Sequence, residues 1–247
     1  MTALKMFAAL LFLAAIVGAQ EIPAGIALPM TLTSTLHVRK FKSGQPITGR
    51  IEQDVPLPSG ARIRAGSRVN GRALQAGTNS DGSSYIRIVF DQVRANGRDI
   101  PVATSLRALA SWWAVQNAGL PTRSPVRGES PATWTTVQVG DDVVYRGGGH
   151  VMHGDAVVGD PVHRGVLAEL TSEPESGCAT GSGHRRLALW VFASSACGAY
   201  GFDDLNIAHA GNTNPMGEIV LRSNKNLNIR AGSGMLLITT EGPPTCP

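Results

Sequence analysis

The chain has 247 residues, with 22 Lys and Arg against 18 Asp and Glu, for a formal net charge of +4. Charged residues make up 16% and aromatic residues 5%, while 29 Gly and 15 Pro interrupt the text. That balance argues against a helical protein and against a surface built to stack sugars or bases, and it points to a turn-rich β protein.

In chain order, the text opens Met-Thr-Ala-Leu-Lys, and Met6 to Gly18 is almost wholly apolar. The run is shorter than the ~20 apolar residues that a membrane-spanning helix needs. A short basic start, a compact apolar stretch and Val17-Gly18-Ala19 before Gln20 are the marks of a secretory signal. The expectation is a signal peptide over residues 1–19, the alternative being a retained anchor helix. No Cys follows the run to carry a lipid, and no second hydrophobic segment of membrane length appears downstream. The mature protein is therefore expected to be exported and soluble, periplasmic or extracellular, with no integral membrane span.

Residues 28–120 read as a first β module. Thr31 to Val38 is rich in β-branched residues, Pro46 to Val55 follows, and Ala61 to Ala65 alternates. Asn79-Ser80-Asp81-Gly82 and Asn96-Gly97 are tight-turn signals. Between them Ile86, Ile88 and Phe90 fall on one face and Arg87 and Asp91 on the other, the period of a half-buried strand. From Ser105 to Asn117 the period changes: Leu106, Leu109, Ala110 and Trp113 recur at helical spacing, with Thr104 or Ser105 as N-cap and Gly119 and Pro121 as the stop. Trp112 and Trp113 read as packing residues.

Residues 121–131 are polar and Pro-rich, the best linker in the chain, and residues 132–242 resume as a second β-rich module. Trp134 to Val139, Val143 to Arg146, Glu218 to Leu221, Leu227 to Ile229 and Met235 to Thr239 are strand-like. Leu187 to Ala193 is continuously apolar and reads as a strand buried on both faces. Ile63-Arg-Ala-Gly-Ser67 recurs as Ile229-Arg-Ala-Gly-Ser233, which leaves an internal duplication and a favourable turn used twice both open. The fold class expected is mainly β: a small antiparallel barrel or sandwich, one short helix, then further strands.

Ile47-Thr-Gly-Arg-Ile-Glu-Gln-Asp-Val55, with Gly60, Ile63, Ala65-Gly66-Ser67, Val69, Gly71, Ile86 to Val93, Asn96-Gly97 and Ile100-Pro-Val102, resembles the β-barrel core of the VirB10/TrbI family of type IV secretion proteins. The resemblance implies successive barrel strands joined by a tight turn. It covers about a quarter of the chain, rests on structural glycines and alternating apolar residues, and implies little about function. The family's proteins keep an inner-membrane helix, a long Pro-rich periplasmic stretch and two antenna helices, whereas a cleavable signal is expected here and only Leu106 to Trp113 stands in for a helix.

Chemistry-bearing residues are sparse. His150, His153 and His163, with Asp155 and Asp160 between, are the densest set of metal-ligand types, but Gly147-Gly-Gly149, Gly154, Gly159 and Pro161 argue for a polar turn region there. Asp203-Asp204 offers paired carboxylates with no further acids beside them. Gly181-Ser182-Gly183-His184 lacks the setting of a nucleophile elbow, and no cofactor fingerprint is present, so none is expected. Cys178 and Cys197 flank the apolar run and are expected to pair, leaving Cys246 single. Arg62, Arg64, Arg68 and Arg72 form a basic cluster able to meet an anion, although no nucleic-acid motif accompanies it and nucleic acid is not the expected partner. The leading expectation is a non-catalytic structural or protein-interaction component of the cell envelope, with other envelope proteins as partners. A hydrolase with its site within residues 149–163, and anion binding by the Arg62–Arg72 group, are the alternatives.

Overall fold

The structure is a computed structural model, and it describes residues 22–122, 134–171, 178, 185–208 and 217–241. The signal segment 1–19, most of the expected linker, Gly181 to His184 and Cys246 lie outside the described residues.

The first third forms β1 (Ala27–Leu32), β2 (Leu36–His37), β3 (Pro46–Ile51), β4 (Val55–Pro56), β5 (Arg62–Ile63), β6 (Arg68–Thr78), β7 (Ser84–Ala95) and β8 (Arg98–Pro101). The turn signals hold. Asn96 (φ 52°) and Gly97 (φ 76°) form the two-residue connection between β7 and β8, the left-handed pair that a hairpin of that length requires.

The expected helix over Ser105 to Asn117 is corrected. Residues Ala103–Ala110 form β9, and α1 is only Trp112–Ala118, capped by Ser111, whose Oγ accepts from the Ala114 N–H. Thr104 to Ala110 are all buried, so this strand shows no polar alternation, and its leucines fell at helical spacing by coincidence.

Next come β10 (Thr135–Val137), β11 (Val143–Tyr145), β12 (Val151–His153), β13 (Ala156–Val162), β14 (Gly165–Ala168) and β15 (Leu187–Ala188). These six pair in chain order as one antiparallel sheet. The turn-rich text around His150 to His163 thus hides two hairpins, with Gly154 (φ 59°) and Arg164 (φ 68°) at their tips. The apolar run 187–193 is corrected as well: β15 ends at Ala188, Trp190 turns at φ 53°, and Phe192 makes only an isolated bridge to Val139.

The chain closes with β16 (Gly198–Tyr200), β17 (Leu205–Ala208), β18 (Ile219–Ser223), β19 (Asn228–Ile229) and β20 (Gly234–Thr240). Strands from both ends of the chain interleave in a ten-stranded sheet, ordered β16-β9-β20-β1-β3-β6-β7-β18-β17 with β8 on β7. The sheet curls round an apolar core that holds Leu28, Met30, Ile51, Val69, Ile88, Phe90, Leu106 and Leu237. Its return is made by residues 98–110: β8 pairs β7, β9 pairs β20, and between them the Val102 N–H donates to Asp91 O at 3.0 Å. Among the described residues no continuous ladder closes a barrel. A second core lies on the opposite face of β1, β9 and β20, where Ala27, Ala108, Ala110 and Leu236 pack with Val144, Val166, Leu189 and Phe192.

The repeated pentapeptide marks a local two-fold relation. The Gly66 N–H donates to Ile51 O and the Ile51 N–H to Ser67 O; in the same way the Gly232 N–H donates to Leu32 O and the Leu32 N–H to Ser233 O. Val55 faces Ile63 as Leu36 faces Ile229. Around the pair Thr31↔Arg50, the pairing Arg50↔Arg68 is matched by Thr31↔Gly234, and Arg68↔Arg94 by Gly234↔Ala110. Even the bulges correspond, between Asn70 and Gly71 in one half and Leu236 and Leu237 in the other. The trio β1-β20-β9 is therefore the counterpart of β3-β6-β7.

Candidate functional site

Alternation along β7 sends Ile86 and Ile88 inward and Tyr85 and Arg87 outward. The same rule along β6, β18 and β17 brings Gln75, Val220, Arg222, Asn206 and Ala208 to that outer face. Together these strands floor a groove of about 700 Å³. Gly77 leaves room for the Tyr85 ring, since a Cβ there would come within 2.8 Å of it. Gln75 donates from Nε2 to Tyr85 Oη at 2.9 Å, and its Oε1 accepts from Arg87 at 3.0 Å. Arg87 also donates to Glu218, 2.9 Å from its Nε. The floor is thus one connected polar chain. Arg222 stands in register between Tyr85 and Asn206 and is exposed. Of the paired acids, Asp204 accepts from Ser223 Oγ at the rim and Asp203 is 93% exposed beside Lys225, so only Asp204 faces the groove.

The second polar site lies on the six-stranded sheet and includes two of the expected histidines. His153 Nδ1 is 2.7 Å from Asp142 Oδ1, and the Ser194 N–H donates to Asp142 Oδ2 at 2.6 Å. The Asp142 side chain is fully buried while His153 is 44% exposed, so the imidazole leads from a dry carboxylate to solvent. His150 Nδ1 meets a different acid, Asp160, at 2.7 Å, and Arg186 reaches the same carboxylate. The hydrogen bond from His150, helped by the charge of Arg186, holds Asp160 below the usual carboxylate range. His163 is exposed at the end of β13 and joins neither pair. Among the described residues no group of three or more His, Cys, Asp or Glu is placed to hold a metal.

Cys178 and Cys197 are joined as a disulfide, with Cα atoms 6.3 Å apart. Beside them the buried Arg107 donates to Ala196 O at 2.9 Å and to Thr171 O, so the ends of segment 171–197 are tied to β9. Burial pushes the Arg107 guanidinium down to about 10, which leaves it charged at neutral pH.

The basic cluster Arg62–Arg72 is divided by the fold. Arg62 lies 3.4 Å from Asp54, Arg72 pairs Asp91, and Arg68 stands instead with Arg50 and Arg94. Sequence reading missed Asp142, Arg107 and Gln53, three buried polar residues whose surroundings come from distant segments. Asp142 had a faint signal in its turn, Gly140-Asp141-Asp142, where Asp141 adopts φ 80°.

No protein-family model matches the chain, and no curated protein matches it.

Proposed function

We propose that this is an exported, non-catalytic binding protein of the cell envelope, which holds a protein partner on the outward face of its large sheet. The observation that carries the reading is the open polar groove across β6, β7, β18 and β17, whose floor of Tyr85, Gln75, Arg87 and Glu218 is pre-set by mutual hydrogen bonds. A pre-ordered floor loses little side-chain entropy on binding. The apolar start of the chain and the Cys178–Cys197 disulfide support an oxidising destination.

The test is a paired capture from the envelope fraction, using the wild type and a Tyr85→Ala/Arg222→Glu variant as bait. A partner held by the wild type and lost by the variant supports the groove; equal recovery by both overturns it. Deleting residues 1–19 is expected to leave the protein in the cytoplasm.

The Asp142–His153 pair favours the second reading, a hydrolase. A buried carboxylate on Nδ1 orients an imidazole for general-base work at its other nitrogen. His153→Ala would then abolish any esterase or phosphodiesterase turnover; turnover unchanged in that variant removes this reading.

A further inference from the structure

The ladders set Arg50 directly opposite Arg68 and Arg68 directly opposite Arg94. All three are exposed, and their neighbours Ile51, Val69 and Val93 are buried in the core below. With strands about 4.8 Å apart, the three guanidinium groups share a row roughly 10 Å long. Like charges directly opposite one another destabilise a sheet, so the row is a cost to the free protein. The nearest acids stand at its two ends. Glu52 lies 2.9 Å from Arg50, and Asp99 lies 4.0 Å from Arg94. Arg68, in the middle, has no carboxylate partner among the described residues.

The two-fold relation shows what this face lacks. Its counterpart row is Thr31–Gly234–Ala110, which is small and covered: a Cβ on Gly234 would come within 2.9 Å of Val115 and 3.2 Å of Trp190. Leu236 and Ala108 of the covered half correspond to Asn70 and Gln92 of the open half. One half of the fold carries α1 and the second sheet on this surface. The other presents arginines and amides to solvent at the same positions.

We infer that the row Arg50–Arg68–Arg94 binds a linear polyanionic glycan of the polyuronate kind, lying across the strands. Three cations in line match a polymer with one carboxylate per sugar, whose repeat is of the order of the strand spacing, about 5 Å. The adjacent row, Thr48, Asn70 and Gln92, supplies hydroxyl and amide groups for sugar hydroxyls. Among the described residues the exposed large apolar ones are Trp113, Leu120, Trp134 and Val157, and none of them is on β3, β6 or β7. Beside the row, therefore, no exposed ring offers a stack to a nucleic-acid base and no apolar wedge enters a bilayer. Nine residue steps along extended β7, about 30 Å, separate Arg94 from Tyr85, so this site is distinct from the groove and does not depend on it.

The experiment is fluorescence anisotropy with a labelled decamer of galacturonate, at low and physiological salt. It uses the protein as the producing cell processes it. A neutral glucan decamer, a single-stranded DNA 20-mer and phosphatidylglycerol vesicles are the comparison probes. The expected result is salt-sensitive binding of oligogalacturonate alone, weakened at least tenfold by Arg68→Glu and by Arg68→Gln. Arg68→Lys should retain most of it, and each arginine removed should lower the salt slope by about one. Arg62→Glu, which changes an exposed arginine outside the row, should leave binding within twofold. Equal binding by Arg68→Glu and wild type overturns the inference. So does equal loss with Arg62→Glu, or tighter binding of the DNA or the vesicles. Circular dichroism and a melting curve for each variant separate loss of binding from loss of fold.

Discussion

At the scale of single residues, the fold depends on a few buried polar groups that reach between distant segments. Gln53 is fully buried; its Nε2 donates to Val166 O at 2.7 Å, and its Oε1 accepts from the Val166 and Trp190 N–H groups. It acts as one more strand residue, pairing its side-chain amide with the backbone of β14. A Cβ on Gly165 would run into it. Gln53→Ala strands the Val166 and Trp190 N–H groups, while Val166 O keeps the Leu189 N–H, and at about 1–3 kcal/mol for each buried unsatisfied group it should cost at least about 2 kcal/mol, read by urea denaturation. Asp160 gives a prediction in pH. Its folded carboxyl titrates below the ordinary value of 3.8, so its contribution is present above that value and is lost as pH falls through the lower folded one. The stability gap between wild type and Asp160→Asn should stand at neutral pH and close as the solution is acidified to about pH 2. A gap that stays constant over that range contradicts the assignment.

At the scale of elements, β6 carries the conflict that the arginine row builds in. Arg68→Thr, a substitution that suits an exposed strand, removes two cross-strand repulsions. It should stabilise the free protein by about 0.2–1 kcal/mol, measurable as a raised denaturation midpoint. Stability and glycan binding should then move in opposite directions in one variant. The elements also show where reading by period succeeds. β7 was legible because one face is core and the other solvent, which makes Ile86, Ile88 and Phe90 alternate with polar neighbours. β9 was not, because Ala108 and Ala110 feed the second core while Leu106 and Leu109 feed the first. A strand buried on both faces has no polar phase to read.

At the scale of the whole molecule, the disulfide and Arg107 together tie segment 171–197 to β9 and the second core. Closing a loop with a sequence separation of 19 is worth about 3 kcal/mol through the unfolded chain. Cys197→Ser should therefore lower the melting temperature, and reduction of the wild type should lower it by a similar amount. A variant that melts with the wild type would show that the bridge does not form.

The amino-acid text by itself determined the β class, the tight turns at Asn79–Gly82 and Asn96–Gly97, the solvent-facing strands and the pairing of Cys178 with Cys197. These depend on local backbone preference, on period, or on having one favourable partner nearby. Only the tertiary structure decided that the repeated pentapeptide marks a two-fold relation, since its hydrogen bonds run to Ile51 and Leu32, far away in the chain. Only it replaced the basic cluster of neighbouring residues with the row Arg50–Arg68–Arg94, and only it joined His153 to Asp142 and Gln53 to Val166. Strand register, which puts residues of distant sequence side by side at about 5 Å, is a property of pairing and is written in no single segment.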